Sequence, residues 1–164
     1  MKTPKDYSAN LSKKLITRDM LGDCIYSCNK RAKNARDKIR QYKRSNHSIF
    51  AYQEIEKYEE KKESYYFLKK KLLKYLKPMA IHIDQNDQKY LFYDFGYSFT
   101  FHSPIDNQEE YSNLPVIDIG TLTTSGKNIN NLISVPFVRK VIEMLESGDY
   151  YVADDLDQYI IYVS

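Results

Sequence analysis

The segment from Gly120 to Asn128, GTLTTSGKN, is the part of this chain that comes closest to a phosphate-binding loop. A P-loop needs four residues between its glycines and a Ser or Thr after its lysine, because backbone amides cradle the phosphate and the hydroxyl holds magnesium. Here five residues separate Gly120 from Gly126, and Asn128 follows Lys127. These two departures argue against a nucleotide site.

Histidine and cysteine offer the next candidate chemistry. His82 and His102 lie in strand-like segments, where facing each other across neighbouring strands they could bind a metal or exchange a proton. The spacing of the two histidines matches no metal-ligand motif. The better interpretation is therefore that both are half-exposed surface residues. Cys24 and Cys28, the only cysteines, are four apart in a helical pattern. A helix would keep them apart as free thiols, and packing in the core is favoured over zinc binding.

Three carboxylates close to the C-terminus resemble a fragment of a calcium loop. Asp154, Asp155 and Asp157 lack the glycine and the terminal glutamate of such a loop, so an acidic turn is the better interpretation. The chain also contains no G-x-S-x-G elbow and no H-E-x-x-H motif. We therefore predict that it has no catalytic, cofactor-binding or metal-binding residues and is not an enzyme.

The first half of the chain has a helical pattern. A stripe of small and apolar residues recurs at steps of four and three and predicts a helix from the N-cap Thr17 to Arg44, with a basic outer surface. The short break from Ser45 to Ser48 precedes a second helical run that stops at Pro78. The two runs predict a long antiparallel helical hairpin.

After Pro78 the hydrophobic period changes to two, which is typical of strands. Strands are predicted around residues 81–83, 90–95 and 97–102, with a turn at residues 85–88, a turn or bulge at Gly96 and a short strand at residues 116–119. A helix is expected between the cap Ser134 and the stop Gly148. The last segment predicts a hairpin whose arms, residues 150–153 and 158–163, flank the acidic turn. The fold class is therefore α+β: a long helical hairpin followed by a small antiparallel or mixed sheet with one packed helix.

The net charge of the chain changes sign at Pro78, where the hydrophobic period also changes. Residues 1–78 contain 21 Lys and Arg against 9 Asp and Glu, a balance of +12, whereas residues 79–164 contain 4 against 13, a balance of −9. We predict two lobes, a basic helical hairpin (1–78) and an acidic α+β lobe (79–164). Such asymmetry points to charged partners, although both halves could simply be solvated.

Location and size also limit the possible functions. No stretch reaches the roughly 18 apolar residues of a membrane span, and the N-terminus lacks the apolar region of a signal peptide. A cytoplasmic protein with no membrane partner is expected. The 164 residues are enough to bury a core without disulfides.

Binding surfaces are better supported than catalytic ones. The chain has 16 tyrosines, a residue that, like arginine, is favoured where a partner buries a protein surface. The basic helix also suits phosphate backbones, although a Lys-rich helix is equally often a solvated face. The predicted partner-binding residues carry opposite charges in two groups: Arg36, Arg40, Lys43 and Arg44, and Asp154, Asp155 and Asp157.

The opening MKTPKDYSANLSKKLITRDML, the helix CNKRAKNARDKIRQYKR and the α+β half that follows resemble the type II-A anti-CRISPR proteins of staphylococci, which mobile elements use to disarm Cas9. The resemblance covers the layout of the chain and carries over no functional residue. It implies binding to the Cas9 and guide-RNA complex without a cofactor. Such inhibitors either occupy the site that reads the PAM or hold the HNH nuclease domain away from its target.

The charges favour the second mode, because a mimic of DNA should be strongly acidic and this chain has a net charge of +3. We therefore expect inhibition of cleavage through the HNH domain or its movement, with weak, non-specific nucleic-acid binding at most. The alternative is a phage or plasmid DNA-binding protein that uses the basic hairpin directly. A structural protein that self-associates through strand edges is a third possibility.

Overall fold

A computed structural model of the chain describes residues 7–45, 49–95, 100–105, 109–118 and 132–161. Its α-helices and β-strands are, in chain order, α1 (Ser8–Ser12), β1 (Leu15–Ile16), α2 (Arg18–Ser45), α3 (Ile49–Lys74), β2 (Ala80–Ile83), β3 (Lys89–Asp94), β4 (Thr100–Pro104), β5 (Val116–Ile117), α4 (Val135–Ser147) and β6 (Tyr151–Val152), and a short 3-10 helix spans Glu109–Tyr111. The predicted α+β class is confirmed: two long packed helices accompany a small mixed sheet and a further helix. The sequence features at residues 46–48, 96–99, 119–128 and 162–163 lie outside the described residues.

Helix α2 begins directly after its predicted cap. The side-chain oxygen of Thr17 accepts a hydrogen bond from the Met20 amide at 3.2 Å, which satisfies a donor that has no partner within the helix. The predicted stripe is buried from Leu21 to Ile39 and half-buried at Tyr42. The spacing of apolar residues was sufficient to predict which side of α2 is buried, because α3 packs along that side.

The main sheet has the strand order β4-β3-β2-β5, in which β2 and β5 are parallel and the other pairs antiparallel. The register places Ile81, Leu91 and Phe101 on a buried face of the sheet. The predicted turn at residues 85–88 is confirmed. There Asp84 accepts hydrogen bonds through Oδ1 from the amides of Asn86 and Gln88, at 2.8 and 3.0 Å.

Both predicted ends of α4 are confirmed. Ser134 accepts a hydrogen bond through Oγ from the Phe137 amide at 3.3 Å, and Pro136 lies in the first turn, where its missing amide costs no helical bond. Gly148 ends the helix with φ +72°, a left-handed conformation that glycine adopts without a Cβ penalty.

The predicted C-terminal hairpin is wrong. Strand β6 pairs in parallel with β1, and Ile160 instead forms an antiparallel bridge with Leu76 at the end of α3. The alternating pattern identified extended backbone but carried no information about its partner. Helix α1 and strand β1, which precede the two long helices, were not predicted. Each has five residues or fewer, which is too short to show a periodic pattern.

The hydrophobic core contains residues from both sides of Pro78. One buried cluster includes Leu21 and Leu72 of the helices, Leu91 of the sheet and Val141 of α4. The β1–β6 pair also joins the two segments. The domain boundary at Pro78 stays a prediction, and the shared cluster means that a fragment ending there would expose apolar surface that the whole chain covers.

The two long helices continue beyond this core. Residues 20–28 of α2 are buried on nearly every side, whereas in residues 29–44 and 49–67 only Ala32, Ala35, Ile39 and Ala51 are buried. We call residues 29–45 and 49–67 the arm. Its 17 residues of α2 correspond to about 25 Å of helix. The small side chains of the alanines allow the two helices to approach closely, and the other arm residues whose burial the structure describes are exposed or half-buried.

Lys69 lies on α3 two residues beyond the arm, where the hydrophobic core begins. Its Nζ lies 4.8 Å from the ring centroid of Phe101 on β4 and 5.0 Å from that of Tyr66, and it donates a hydrogen bond to Oδ1 of Asn29 at 3.0 Å. Burial lowers the pKa of this ammonium group. Lys69 therefore connects α3 to both α2 and the sheet at the position where the core ends.

Candidate partner-binding surfaces

The four predicted basic residues lie on the arm. Arg36, Arg40, Lys43 and Arg44 are all exposed, and they lie within the last ten residues of α2. They fall outside the buried stripe because positions that face α3 recur only every three or four residues. The structure thus brings these four cations to the outer surface of one helical segment, as the sequence predicted.

Beside them is an apolar feature that the sequence analysis missed. Ile49, Phe50 and Tyr52, in the first turn of α3, are 77%, 61% and 64% exposed. We call these three residues together with Arg40, Lys43 and Arg44 the arm tip, since the end of α2 and the start of α3 meet there. Helical spacing gave no signal for this exposure, because Ile49 and Tyr52 precede Ile55 and Tyr58 at steps of three and would be placed on the same stripe.

The acidic residues lie on a turn that the core holds in place. Asp154, Asp155 and Asp157 are exposed, whereas Leu156 between them is fully buried. The Leu156 amide donates to the Ala153 carbonyl, and the Tyr159 amide donates to the Leu156 carbonyl, both at 2.8 Å. The predicted acidic turn is confirmed as a turn, although it does not connect two strands of a hairpin.

The basic and acidic groups are far apart. Next to the acidic turn, the guanidinium carbon of Arg18 lies 5.0 Å from the ring centroid of Tyr159. Arg18 begins α2, and Arg36 and Arg44 follow 18 and 26 residues later, which corresponds to about 27 and 39 Å of helix. The structure therefore does not assemble one mixed-charge site. It separates a cationic arm tip from an anionic turn at the base of the hairpin.

The two strand histidines do meet. Their rings stack with centroids 5.5 Å apart and an interplanar angle of 17°, and Tyr90 lies against both. Neighbouring strands were expected for the two histidines, and this is wrong: His82 lies on β2 and His102 on β4, with β3 between them. Nε2 of His102 is buried and has no hydrogen-bond partner among the described residues. Tyr90 donates from its hydroxyl to Oδ2 of Asp84 at 3.2 Å.

This environment predicts a dependence of stability on pH. Burial, and to a smaller extent the charge of His82, lowers the pKa of His102. The unfolded chain binds that proton near the usual pKa of about 6.5, so below this pH the unfolded state binds more protons and stability falls. We expect the free energy of unfolding, measured by urea denaturation, to be smaller at pH 5.5 than at pH 7.5, and the difference to shrink in His102→Gln. An unchanged difference in the variant would show that another group is responsible.

The cysteine pair is buried, as predicted. Cys24 and Cys28 are free thiols on one face of α2 and are almost inaccessible to solvent. Burial raises the pKa of both, that of Cys28 to about 12. Because the thiolate is the reactive form, these side chains act as small apolar core residues at neutral pH.

Across the described residues, no three His, Cys, Asp or Glu side chains are grouped so that they could hold a metal ion. Within the same part of the chain, every helix is too short or too polar to cross a membrane.

No protein-family model, curated protein or solved structure matches this chain.

Proposed function

We propose that this chain is a binding protein that docks on a macromolecular partner through the arm tip. The observation that carries this proposal is the exposure of Ile49, Phe50 and Tyr52 beside three cationic residues. Covering a large apolar side chain completely is worth about 1.5–3 kcal/mol, and aromatic residues and arginine dominate the binding energy of protein interfaces. An arm that extends past the core presents these side chains without rearrangement of the fold.

The partner we propose is the Cas9 and guide-RNA complex. The resemblance of the chain to type II-A anti-CRISPR proteins supports this choice. A second argument is the separation of charge: a ribonucleoprotein presents both anionic RNA and basic protein surface, and the cationic arm tip and the acidic turn suit one of each. Rim charges of this kind steer association and set orientation more than they add affinity.

Inhibition is proposed to act on the HNH nuclease domain or its movement and to leave PAM recognition intact. The PAM is read by arginines that accept an acidic mimic, whereas the exposed apolar residues of the arm tip are accompanied by Arg40, Lys43 and Arg44. Docking of HNH is required for cleavage and is not required for DNA binding. A protein that blocks this step therefore separates the two activities.

A gel-shift assay and a cleavage assay run side by side test this mechanism. The chain is added to staphylococcal Cas9 and guide RNA before the target DNA. We expect cleavage to fail while most of the DNA stays bound to the complex. Loss of DNA binding in parallel with cleavage would contradict the HNH mechanism, and cleavage at the normal rate would contradict the choice of partner.

A second candidate function is direct binding to DNA or RNA by the arm. The exposed cations Arg36, Arg40, Lys43 and Arg44 favour contact with phosphates. Two long antiparallel helices, however, lack the short recognition helix that enters the major groove between inclined partners. We expect binding to free duplex DNA to be weak and to fall steeply with salt. Tight, sequence-selective binding at physiological salt would favour this second function.

A further inference from the structure

Helix α3 carries an ordered row of exposed residues where the arm joins the core. They recur at steps of three and four and therefore lie on one side of the helix: Glu60, Glu63, Phe67, Lys70 and Lys74. All five side chains are exposed, that of Phe67 to 60%. We call these five residues the outer stripe. The stripe is acidic at one end, aromatic at its centre and basic at the other end.

The four charged side chains of the outer stripe form no ion pair with any other residue that the structure describes. Charges beside the stripe on the same helix do have counterparts. Lys62 pairs with Glu59 at 2.9 Å, and Lys71 pairs with Glu146 of α4 at 3.2 Å. The fold of one chain thus leaves the charges of the outer stripe without counterparts.

The stability of a single helix does not explain the order of these charges. Like charges three or four residues apart on a helix repel each other, as Glu60 and Glu63 do and as Lys70 and Lys74 do. The helix dipole favours Lys74 in the last turn. The dipole acts only within the first and last turns, however, and both glutamates lie more than two turns from either end of α3.

The order does suit a second copy of the same stripe that runs antiparallel to the first. A two-fold axis through Phe67 places positions equally far before and after this residue opposite each other. Glu60 and Lys74 both lie about 10 Å from Phe67 along the helix. Glu63 and Lys70 lie about 6 and 4.5 Å from it. Each carboxylate of one copy then faces an ammonium group of the other, and the two phenylalanine rings meet at the axis.

We propose that the outer stripe binds a second copy of this chain in an antiparallel, two-fold symmetric dimer. The symmetry repeats every contact, so that the paired Phe67 rings are flanked by four ion pairs. Lys71 helps to hold the aromatic ring in place, because its Nζ lies 4.9 Å from the Phe67 ring centroid while it pairs with Glu146. A contact between single helix faces with exposed ion pairs belongs to the weak, transient class of interfaces.

The outer stripe shares no residue with the arm tip. The dimer therefore does not depend on the partner proposed above, and each surface can be altered without changing the other.

Sedimentation equilibrium of the full chain at physiological salt, from about 5 µM to about 0.5 mM, tests for the dimer. We expect the weight-average mass to rise with concentration from the 19.4 kDa of one chain toward twice this value. At 1 M NaCl the same rise should require at least about fivefold more protein, because the Debye length falls to about 3 Å. A mass that stays at that of one chain over the whole range would overturn the proposal.

Two charge-reversed variants identify the surface. Glu60→Lys combined with Glu63→Lys makes the outer stripe wholly basic. Lys70→Glu combined with Lys74→Glu makes it wholly acidic. Each variant alone should require at least about tenfold more protein to dimerise, because like charges face each other across the axis. An equimolar mixture of the two should dimerise at least as well as the unaltered chain, since every facing pair is again opposite in sign. Recovery in the mixture also shows that both variants are folded.

Two control variants separate the outer stripe from general effects of charge and exposure. Asp154→Lys combined with Asp155→Lys changes the net charge as much as the basic variant does, at exposed positions of the acidic turn. It should dimerise as the unaltered chain does. Phe67→Ala should weaken the dimer by about five- to tenfold, whereas Tyr52→Ala, a similarly exposed aromatic residue of the arm tip, should leave it unchanged.

Three further results would contradict the proposal: dimerisation of the charge-reversed variants at the concentration of the unaltered chain, absence of recovery in their mixture, or an equal loss in the control on the acidic turn. The first result would assign any self-association to another surface, such as the arm tip.

Discussion

Replacing both Phe50 and Tyr52 with alanine is expected to weaken binding to the Cas9 and guide-RNA complex by about 30-fold or more. Truncating one aromatic residue at the centre of an interface costs about 2 kcal/mol or more, which alone weakens binding about 30-fold, and the costs of two neighbouring truncations do not simply add. Both side chains are more than 60% exposed in the free chain. Their removal should therefore change the free energy of unfolding by no more than about 0.5 kcal/mol. Biolayer interferometry measures the first quantity and urea denaturation the second.

Val116→Ala provides the matched control for this experiment. Val116 is as exposed as Phe50, but it lies in β5, on the outer edge of the sheet and away from the arm. Its replacement should leave affinity unchanged. If the double variant binds as tightly as the unaltered chain, the arm tip is not the docking surface and the proposal for this region fails.

Leu156→Ala is expected to lower the free energy of unfolding by about 2–5 kcal/mol, the range for truncation of a fully buried leucine. The effect is large for a residue between exposed aspartates, because Leu156 belongs to the cluster that also contains Leu76 and Ile160. Urea denaturation at pH 7.5 measures it. Asp155→Ala, one residue away and exposed, should change the same quantity by about 0.5 kcal/mol or less.

A loss below about 1 kcal/mol in Leu156→Ala would show that the acidic turn is not anchored as described. The anchoring matters for function because it fixes where Asp157 is presented. A carboxylate on a turn held by the core can contact a basic surface of the partner with little loss of conformational freedom, whereas one on an unanchored loop must first be ordered.

The sequence predicted those elements whose determinants are local. The burial of Leu21 and Ile39 follows from helical spacing, and the limits of α4 follow from the side chain of Ser134 and the conformational freedom of Gly148. The turn after β2 was predictable because Asp84 bonds to amides two and four residues ahead.

The sequence could not predict the pairings between distant segments. Strands β1 and β6 lie more than 130 residues apart and contain two residues each, too few to encode a partner. The bridge between Leu76 and Ile160 is equally non-local. A cavity of about 500 Å³ at the end of α4 is non-local in the same way, since its lining includes Tyr75, Tyr151 and Asp157. Its tyrosines were visible in the sequence only as adjacent aromatic residues that could not all face inward.

Among the proposed partner-binding residues, too, some exposures follow from local sequence and others from packing between distant segments. Exposure of Arg40 and Lys43 follows from their position off the buried stripe. Exposure of Phe50 and Tyr52 depends on where the core ends, and this is set by the packing of α4 and the sheet against only one part of the hairpin. Hydrophobic residues near a helix start are ordinarily expected to be covered, so composition alone gave no indication of the arm tip.

The central claim is that this chain acts by binding the Cas9 and guide-RNA complex, and size-exclusion chromatography of purified components tests it most directly. The chain is mixed at physiological salt with the assembled complex and, separately, with guide RNA alone. We predict that it co-elutes with the complex in a fixed ratio and does not co-elute with the RNA. Failure to co-elute with the complex, or equal co-elution with RNA alone, would contradict the claim.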